Sequence, residues 1–260
     1  RIADNRNDVH VILAQIHLAI MMTHNHIVDQ LPGAPPLEMR KQAQAIVVHH
    51  YQWCIVHDWL PRILAPSGMR CLRQRLTAIR NGQSFDSWLR GGKLPAEFAF
   101  AGLRFGHSQI RRTYALNALV RSIRLLRAGV ERPHEHLEGG RNMPPDWQLD
   151  WRLFFDAPER GWEPLPPQLR AQASRAIDPK ISYALGCLRD AKGTRFSLPD
   201  LTLRAGRKIG LPSGQQACAQ LGIRPLRKLA GQQTPLWLYI LAEAKAQQGG
   251  QRVGELGSRI

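Results

Sequence analysis

Apolar residues along this 260-residue chain recur at helical spacing, and nowhere do β-branched and polar residues alternate for more than a few positions. Alternation with a period of two is typical of a half-buried strand, whereas a period near 3.6 is typical of an amphipathic helix. A large β-sheet is therefore excluded. Because 43% of the residues are hydrophobic, the chain can form a packed core. The sequence predicts a mainly α-helical fold without internal repeats.

Proline and glycine clusters divide the first third of the chain into three predicted helices. Asn7 or Asp8 is a suitable N-cap for the first helix. Pro61 is expected to end the second, and Asn81 with Gly82 the third. In this order, the predicted helices run to about Asp29, from Leu37 to about Leu60, and from Met69 to Ile79.

Helical patterns return later in the chain. Pro95 occupies a first-turn position and opens a predicted helix from Ala96 to about Ile110. A further helix is predicted from Leu169 to Leu188, and Ser213 and Thr234 are suitable N-caps for two more. The intervening stretch, Gly129 to Pro167, lacks periodicity. We expect it to be irregular but ordered, because burial is needed for its large aromatic side chains, Trp147, Trp151, Phe154 and Phe155.

The formal net charge is +16, from 36 Lys and Arg residues against 20 Asp and Glu. An excess of this size raises the question of nucleic acid or an anionic membrane surface as a partner. The basic residues stand singly or in pairs, however, and no nucleic-acid-binding motif accompanies them. We therefore expect no nucleic-acid partner and interpret most of this charge as solvated helix surface.

The cysteines and the apolar runs exclude further classes of protein. Cys54, Cys71, Cys187 and Cys218 are widely separated, which excludes a zinc ribbon and a CxxC redox motif and argues against a disulfide framework. The longest apolar run, Val9 to Met22, is interrupted by polar residues and is shorter than the roughly 20 residues that cross a bilayer. No membrane span is expected.

Ten histidines suggest a metal site, but their spacing does not support one. His10, His17 and His24 recur every seven residues, roughly 10.5 Å apart along a helix, which is too far to share one ion. His107 differs because it interrupts an apolar helix stripe and has Gly106 beside it. A neutral imidazole there could ligate haem iron or be an ordinary hydrogen-bonded core histidine, and spacing alone leaves both open.

Six segments, in order along nearly the whole chain, resemble the animal-type haem peroxidases of the peroxidase–cyclooxygenase superfamily, especially their bacterial members. The most specific is Leu103-Arg104-Phe105-Gly106-His107-Ser108, which is similar to the proximal-histidine motif of that family. The other five are Ala3 to Asp8 with the helix that follows, Tyr51 to Pro61, Asp150 to Phe155, Gly206 to Gln215, and Thr234 to Trp237. The resemblance implies a single multi-helix haem peroxidase domain over residues 1–260.

The resemblance also implies roles for three residues. His107 would be the proximal ligand of a haem b iron, and Arg104, one turn earlier, would face a haem propionate as a charge-assisted partner. Arg6 matches the distal arginine, whose guanidinium would polarise bound hydrogen peroxide. The implied reaction is reduction of hydrogen peroxide with oxidation of a small-molecule electron donor.

The chain departs from the family pattern in three respects. The family's distal histidine lies upstream of the arginine segment, so we expect a domain truncated at the N-terminus; at Ile260 no terminating signal appears, which fits truncation there as well. Thr202 stands where the family has an asparagine that accepts a hydrogen bond from the proximal histidine. Val9 stands where members with ester-linked haem have a glutamate, so haem would be held there without a covalent bond.

His10 offers a substitute for the distal histidine. On a helical first turn His10 would lie four residues after Arg6, roughly 6 Å along the axis and on the same face. It could then reach the distal side of a haem. The alternative is an ordinary helix histidine near the haem edge.

Two other functions stay open. One is a haem-dependent fatty-acid dioxygenase, since relatives in the superfamily use a tyrosyl radical, although none of Tyr51, Tyr114, Tyr183 and Tyr239 matches that position. The other is a non-catalytic basic helical binding protein derived from the family, which the absent distal histidine and Thr202 favour. The oligomeric state and the compartment do not follow from the sequence, secretion being one option.

Overall fold

The structure, a computed structural model, describes residues 4–31, 33, 35–84, 94–127, 132–155, 161–189, 193–229 and 231–260. Its α-helices are α1 (Val11–Gln30), α2 (Pro36–Cys54), α3 (Leu60–Ile63), α4 (Pro66–Arg80), α5 (Tyr183–Gly186), α6 (Leu198–Lys208), α7 (Gly214–Gln220) and α8 (Leu236–Gln248). The strands within these residues form two antiparallel hairpins, β1 (Thr113–Tyr114) with β2 (Ile123–Arg124) and β3 (Leu188–Arg189) with β4 (Arg195–Phe196). The mainly α-helical fold predicted from the sequence is confirmed.

Several helical segments are not α-helical. A π-helical turn, Ile55–Trp59, joins α2 to α3, and a second one, Phe98–Gly102, leads directly into a 3-10 helix, Leu103–Gln109. Wide π turns and tight 3-10 turns are both frequent at functional sites and hinges. The remaining 3-10 helices are short: Asn5–Asp8, Pro133–Glu135, Pro145–Trp147, Trp151–Leu153 and Arg227–Leu229.

By its internal contacts the chain divides into two compact units, each built from two separate stretches. Unit 1 consists of Arg1–His57 and Arg111–Ala173. Unit 2 consists of Asp58–Ile110 and Ser174–Ile260. The single domain over residues 1–260 that the sequence suggests stays a prediction.

In unit 1, α1 packs against α2, and the backbone before α1 is fixed by the loop around Gly139. The amide of Val11 donates to the carbonyl of Leu137 (2.8 Å), and the amide of Gly139 donates to the carbonyl of Val9 (3.1 Å). A Cβ at Gly139 would collide with the carbonyl oxygen of Asp8, so this close approach requires glycine. These hydrogen bonds hold the backbone on both sides of His10, which is itself extended, at the start of α1.

In unit 2, α8 lies at the centre of the hydrophobic core. Seven of its residues are buried: Leu236, Trp237, Tyr239, Ile240, Leu241, Glu243 and Ala244. Because these positions cover more than one side of the helix, α8 is surrounded by protein instead of presenting one apolar stripe. The last turns of the chain pack against it, since Glu243 accepts hydrogen bonds from the amides of Leu256 and Gly257, each 3.1 Å long.

Helix α1 has 20 residues, and its length and apolar composition alone would allow it to cross a membrane. The apolar run Val9 to Met22, on which the expectation of no membrane span is based, ends before the helix does, because α1 continues to Gln30. A core helix and a leader segment near the start of a chain meet the same criterion, so length and composition do not identify α1 as a membrane span. No clear membrane span is found among the described residues.

Two predicted boundaries in the first third of the chain are wrong. The N-cap of α1 is His10, not Asn7 or Asp8, because Asp4 caps a separate 3-10 helix before it. Pro61 does not end the second helix, which continues through the π turn into α3. The physical reason is that Pro61 lies in the first turn of α3, where a missing amide proton costs nothing. The third helix, α4, begins three residues before the predicted start and ends as predicted.

The helix predicted from Leu169 to Leu188 is also wrong, since only Tyr183–Gly186 is α-helical there. The backbone of this stretch pairs with distant segments: the amide of Gln172 donates to Leu153, and that of Ile177 to Gly250. Pro179 further disfavours a helix at the residue before it. Tertiary hydrogen bonds thus override the local pattern.

Two smaller expectations are corrected as well. Pro235, not Thr234, is the N-cap of α8, because Thr234 is used in hydrogen bonds with Gln215. Among the four aromatic residues expected to be buried, Trp147 is, whereas Phe155 is exposed. Parts of two further predictions, at residue 3 and at residues 129–131 and 156–160, fall outside the described residues.

Candidate functional site

His107 lies near the end of the helical segment that Pro95 was predicted to open. Residues 96–97 are α-helical, and the chain then widens into the π turn and tightens into the 3-10 helix that carries His107. Phe105, two residues earlier, is buried and stacks on Trp59 with ring centroids 6.2 Å apart. This packing fixes the helix backbone on one side of the histidine.

The imidazole of His107 is half-buried and has an unsatisfied nitrogen. Nδ1 is buried without a hydrogen-bond partner, and no hydrogen bond joins Nε2 to a described residue. Burial lowers the pKa of His107 below its ordinary value, and the nearby positive charge of Arg104 lowers it further. The ring is therefore neutral at pH 7, the form in which histidine binds metals.

Trp237 contacts His107 from the first turn of α8. The two ring centroids are 6.1 Å apart and the ring planes meet at 69°, which is an edge-to-face contact. The indole Nε1 donates a hydrogen bond of 3.0 Å to the backbone carbonyl of Arg104. Trp237 is 3% exposed. The indole is thus joined both to the histidine ring and to the backbone that carries it.

The side chain of Arg104 folds back along its own helix. Its Nε donates to the carbonyl of Ala99 (3.2 Å), and its guanidinium carbon lies 5.2 Å from the centre of the Phe100 ring. This cation–π contact leaves the terminal nitrogens of the guanidinium for an anion. The arrangement places Arg104 and His107 on successive turns, as the sequence predicts.

Thr202 is buried in α6, but it is not the hydrogen-bond partner of His107. Its hydroxyl donates to the carbonyl of Leu198, 2.9 Å away in the same helix. Since the Nδ1 atom of His107 has no partner, the structure does not join these two residues by a hydrogen bond.

Arg6 lies in unit 1, where its guanidinium is engaged by Asp4. Two nitrogens of Arg6 bind the carboxylate, with Nη2 at 2.6 Å from Oδ2, and the Arg6 side chain is 88% exposed. The hydrogen bonds from Arg6 lower the pKa of Asp4 to about 2. The Asp4 carboxylate therefore stays ionised over the whole physiological pH range. The ion pair of Arg6 with Asp4 was not predicted from the sequence. The signal that indicates it is an acidic residue suited to an N-cap two positions before the arginine.

His10 also lies in unit 1 and caps α1. Its backbone is extended, and its Nδ1 accepts a hydrogen bond of 3.1 Å from the amide of Leu13. Burial lowers its pKa, which keeps this acceptor unprotonated. The premise that Arg6 and His10 share one helical turn is wrong, because a 3-10 helix ends at Asp8 and α1 begins at Val11.

Conventional metal clusters are not found in the described part of the chain. No group of three or more His, Cys, Asp or Glu side chains there could hold a metal ion. A haem iron needs only one axial side chain on its proximal side, so His107 alone is the relevant candidate.

Trp237 was not predicted to have a role, although it lies in one of the segments that carry the family resemblance. Its contacts are with residues more than 100 positions away, so no local pattern indicates them.

Comparisons with known proteins agree on one family. Residues 1–234 match the family model described as animal haem peroxidase. The chain is 24% identical to "Heme peroxidase 2" of Caenorhabditis elegans over 218 residues, 30% identical to "Peroxidase-like protein" of Margaritifera margaritifera over 216, and 25% identical to "Peroxidasin" of Drosophila melanogaster over 214. Each match covers 80% of this chain, but only 28%, 26% and 13% of the respective relative.

A solved structure shows the same fold. "Peroxidase A from Dictyostelium discoideum" superposes with a TM-score of 0.62 at 16% sequence identity, over 99% of this chain and 48% of the other. The chain thus spans about half of that protein and about a quarter or less of the curated relatives it matches.

Proposed function

The chain belongs to the animal haem peroxidase family, and on that premise we propose that it binds haem b through His107 and contributes to the reduction of hydrogen peroxide by a small-molecule electron donor. We also propose a bacterial origin, which is supported by the resemblance of the sequence to bacterial members of the family. The observation that carries the proposal is that the His107 imidazole is neutral and that its buried Nδ1 has no hydrogen-bond partner.

The His107 side chain fits an axial haem ligand. An ordinary core histidine satisfies both ring nitrogens with protein hydrogen bonds, because an unpaired buried polar atom is costly. In His107 the buried Nδ1 is unpaired, and the ring is neutral at pH 7. A haem iron requires from its proximal ligand a neutral imidazole with one ring nitrogen free to bind it, and His107 provides both.

The backbone beside His107 leaves room for a flat ligand. A Cβ built on Gly106 would meet no other atom within 4 Å. The space that a side chain at residue 106 would fill is therefore free of atoms from more distant residues, and we propose that a planar group enters there. Arg104 would pair with a carboxylate of such a ligand through the terminal nitrogens that its contacts with Ala99 and Phe100 leave available.

Haem iron, when bound, supplies the electron transfer of a peroxidase reaction. The contribution of Arg6 would be to donate guanidinium hydrogen bonds to a peroxide oxygen and to stabilise negative charge that develops there. For this, Arg6 has to leave Asp4. Exposed ion pairs are screened by water and weak, so the exchange of one anionic partner for another is accessible.

Proton transfer requires a separate acid–base group. His10 is the candidate that we propose within this chain. In the neutral ring Nδ1 accepts from Leu13, so the proton resides on Nε2. The role of His10 is proposed separately from that of Arg6, because the two residues do not share a helix.

Haem titration of the purified chain tests the proposal. We expect a shifted Soret band in the wild type and its loss in His107→Ala, a change that breaks no hydrogen bond to a described residue. His26→Ala, at an exposed histidine of α1, is the matched control and should bind haem like the wild type. Equal binding by His107→Ala, or no Soret shift in the wild type, would refute the assignment.

A second function, a haem-binding protein without peroxidase activity, is favoured by the ion pair of Arg6 with Asp4. Peroxide-dependent dye oxidation by the haem-loaded chain distinguishes the two. Oxidation that is lost in Arg6→Gln while the Soret band persists supports the peroxidase. Oxidation no faster than that of free haem supports the passive binder.

A further inference from the structure

We propose that Trp237 is the positioning residue of His107, and that its indole replaces the hydrogen-bonded partner that normally orients a metal-ligating histidine. This inference rests on the proposed haem ligation by His107. Its basis is the combination of an orphaned Nδ1 on the imidazole with two separate contacts from one buried indole.

A histidine that ligates a metal almost always donates its other ring nitrogen to a carboxylate, carbonyl or water, which fixes the ring orientation. His107 lacks this device. Its Nδ1 is buried and unpaired, and the hydroxyl of Thr202 is bound to Leu198 instead. The orientation of the ring must therefore come from packing.

The first contact of Trp237 acts on the ring. At a centroid distance of 6.1 Å and an interplanar angle of 69°, one aromatic ring directs its edge at the face of the other. This arrangement places the positive ring edge against the negative face and restricts rotation of the imidazole about its side-chain torsions. Free rotation would instead spread the ligating nitrogen over several positions.

The second contact acts on the backbone. In a 3-10 helix the carbonyl of residue i pairs with the amide of residue i+3, which for Arg104 is His107 itself. The indole N–H of Trp237 donates to this same carbonyl of Arg104 at 3.0 Å. One side chain thus holds both the ring and the peptide group that determines where the ring begins.

Trp237 can serve as a reference because it is itself fixed. It is 3% exposed and lies in the first turn of α8, followed by Tyr239 and Ile240, which are both fully buried. A Cβ on Gly214, the first residue of α7, would collide with the Tyr239 ring, which shows how closely α7 packs on α8. The indole therefore belongs to the buried hydrophobic core of unit 2.

Two substitutions separate the contacts. Trp237→Phe keeps an aromatic ring and removes the N–H donor, whereas Trp237→Leu removes both. Leu241→Ala is the control for destabilisation alone, because Leu241 is a fully buried residue of the same helix that makes no ring contact with His107. His107→Ala identifies the His107 signals.

The first measurement uses the protein without haem. In NMR spectra of the chain with 13C-labelled histidine, we expect the His107 ring signal to lose its ring-current shift in Trp237→Leu. Trp237→Phe should lie between Trp237→Leu and the wild type, and Leu241→Ala should match the wild type.

The second measurement uses the haem-loaded protein. We expect the iron–histidine stretching band in the resonance Raman spectrum of the ferrous protein to be single in the wild type and broadened or split in Trp237→Leu. Haem affinity should fall about tenfold in Trp237→Leu, the lower end of the range for loss of a group that orients a metal-ligating histidine.

The outcomes of this inference and of the proposed function are distinguishable. If the wild type binds no haem, the proposed ligation fails, and the haem-free NMR spectra still decide whether Trp237 orients His107. If haem binds through His107 while Trp237→Leu changes neither the NMR signal nor the Raman band, the inference on Trp237 is refuted. Equal effects of Leu241→Ala and Trp237→Leu would also refute it.

Discussion

The hydroxyl of Thr202 donates its proton to the carbonyl of Leu198, 2.9 Å away within α6, and not to the ring of His107. The family resemblance places Thr202 at the position of the residue that pairs with the proximal histidine, so geometry and resemblance make different predictions. In the structure Thr202 is 1% exposed and serves its own helix.

Thr202→Val should leave the haem spectrum of the chain unchanged. Valine has the shape of threonine, and the hydrogen bond it removes joins Thr202 to Leu198, so the effect is confined to the stability of α6, about 1 kcal/mol. The iron–histidine Raman band measures the effect on His107, and urea unfolding measures the stability. A shift of that band would instead show that the hydroxyl acts on the histidine.

Substitutions at Gly106 should weaken haem binding without weakening the fold. Since an added Cβ meets no atom of a more distant residue and alanine is favoured over glycine in helices, we expect Gly106→Ala without haem to unfold at or above the thermal midpoint of the wild type. Gly106→Val adds more bulk to the space beside His107, and we expect it to lower haem affinity about tenfold, equivalent to about 1.4 kcal/mol.

Calorimetry without haem and Soret titration with haem provide the two measurements. The idea that haem approaches beside Gly106 is untenable if both variants bind haem as tightly as the wild type.

The stability of the chain should decrease as the pH falls below 6.5, the ordinary pKa of histidine. Burial lowers the pKa of His10 and of His107 in the folded state. Between the folded pKa and 6.5 the unfolded chain therefore binds more protons, and acidification favours unfolding. Urea midpoints measured between about pH 5 and 7 should rise with pH. His107→Ala should reduce that slope, and an unchanged slope would contradict the assignment.

Glu243 should produce the opposite trend over a different pH window. Burial raises its pKa above the ordinary 4.5, despite the opposing hydrogen bonds from the amides of Leu256 and Gly257. From about pH 4.5 upward through its folded pKa, the folded state retains a proton that the unfolded chain has lost, so stability decreases with rising pH. Infrared spectra of the carboxyl band should detect this protonated carboxyl above pH 4.5.

His10 should be replaceable by asparagine as a helix cap but not by alanine. Asn accepts a hydrogen bond at the N-cap position, whereas Ala leaves the amide of Leu13 unpaired and costs about 1 kcal/mol. Thermal unfolding of His10→Ala and His10→Asn tests the cap. If His10 also transfers a proton, His10→Asn will lose peroxide-dependent oxidation although its fold is retained. Full oxidation by His10→Asn would exclude that role.

The sequence predicted the features that depend on local periodicity. The end of α1, the C-terminus of α4 and the N-cap at Ser213 follow from residues within one or two turns, and the structure has them. The position of His107 on a helical segment after Pro95 also follows from spacing. For these elements the information is contained in neighbouring residues.

The features that it missed depend on distant parts of the chain. The Leu169–Leu188 pattern is helical by composition, but two of its amides, those of Gln172 and Ile177, donate to the carbonyls of Leu153 and Gly250. The contact of Trp237 with Arg104 joins residues 133 positions apart. Neither pairing leaves a trace in local periodicity, so neither could be derived from a single sequence.

The burial of α8 determines how Trp237 and His107 take part in the slow motions of unit 2. Its amides are shielded on more than one side, so we expect them to exchange with deuterium only when the core of this unit unfolds. In α1 only Val11 and Ile12 are buried, and its amides should exchange through brief local openings. Trp237 is therefore anchored to the slowest-exchanging segment of its unit, and His107 should keep its place through all the faster fluctuations of the chain.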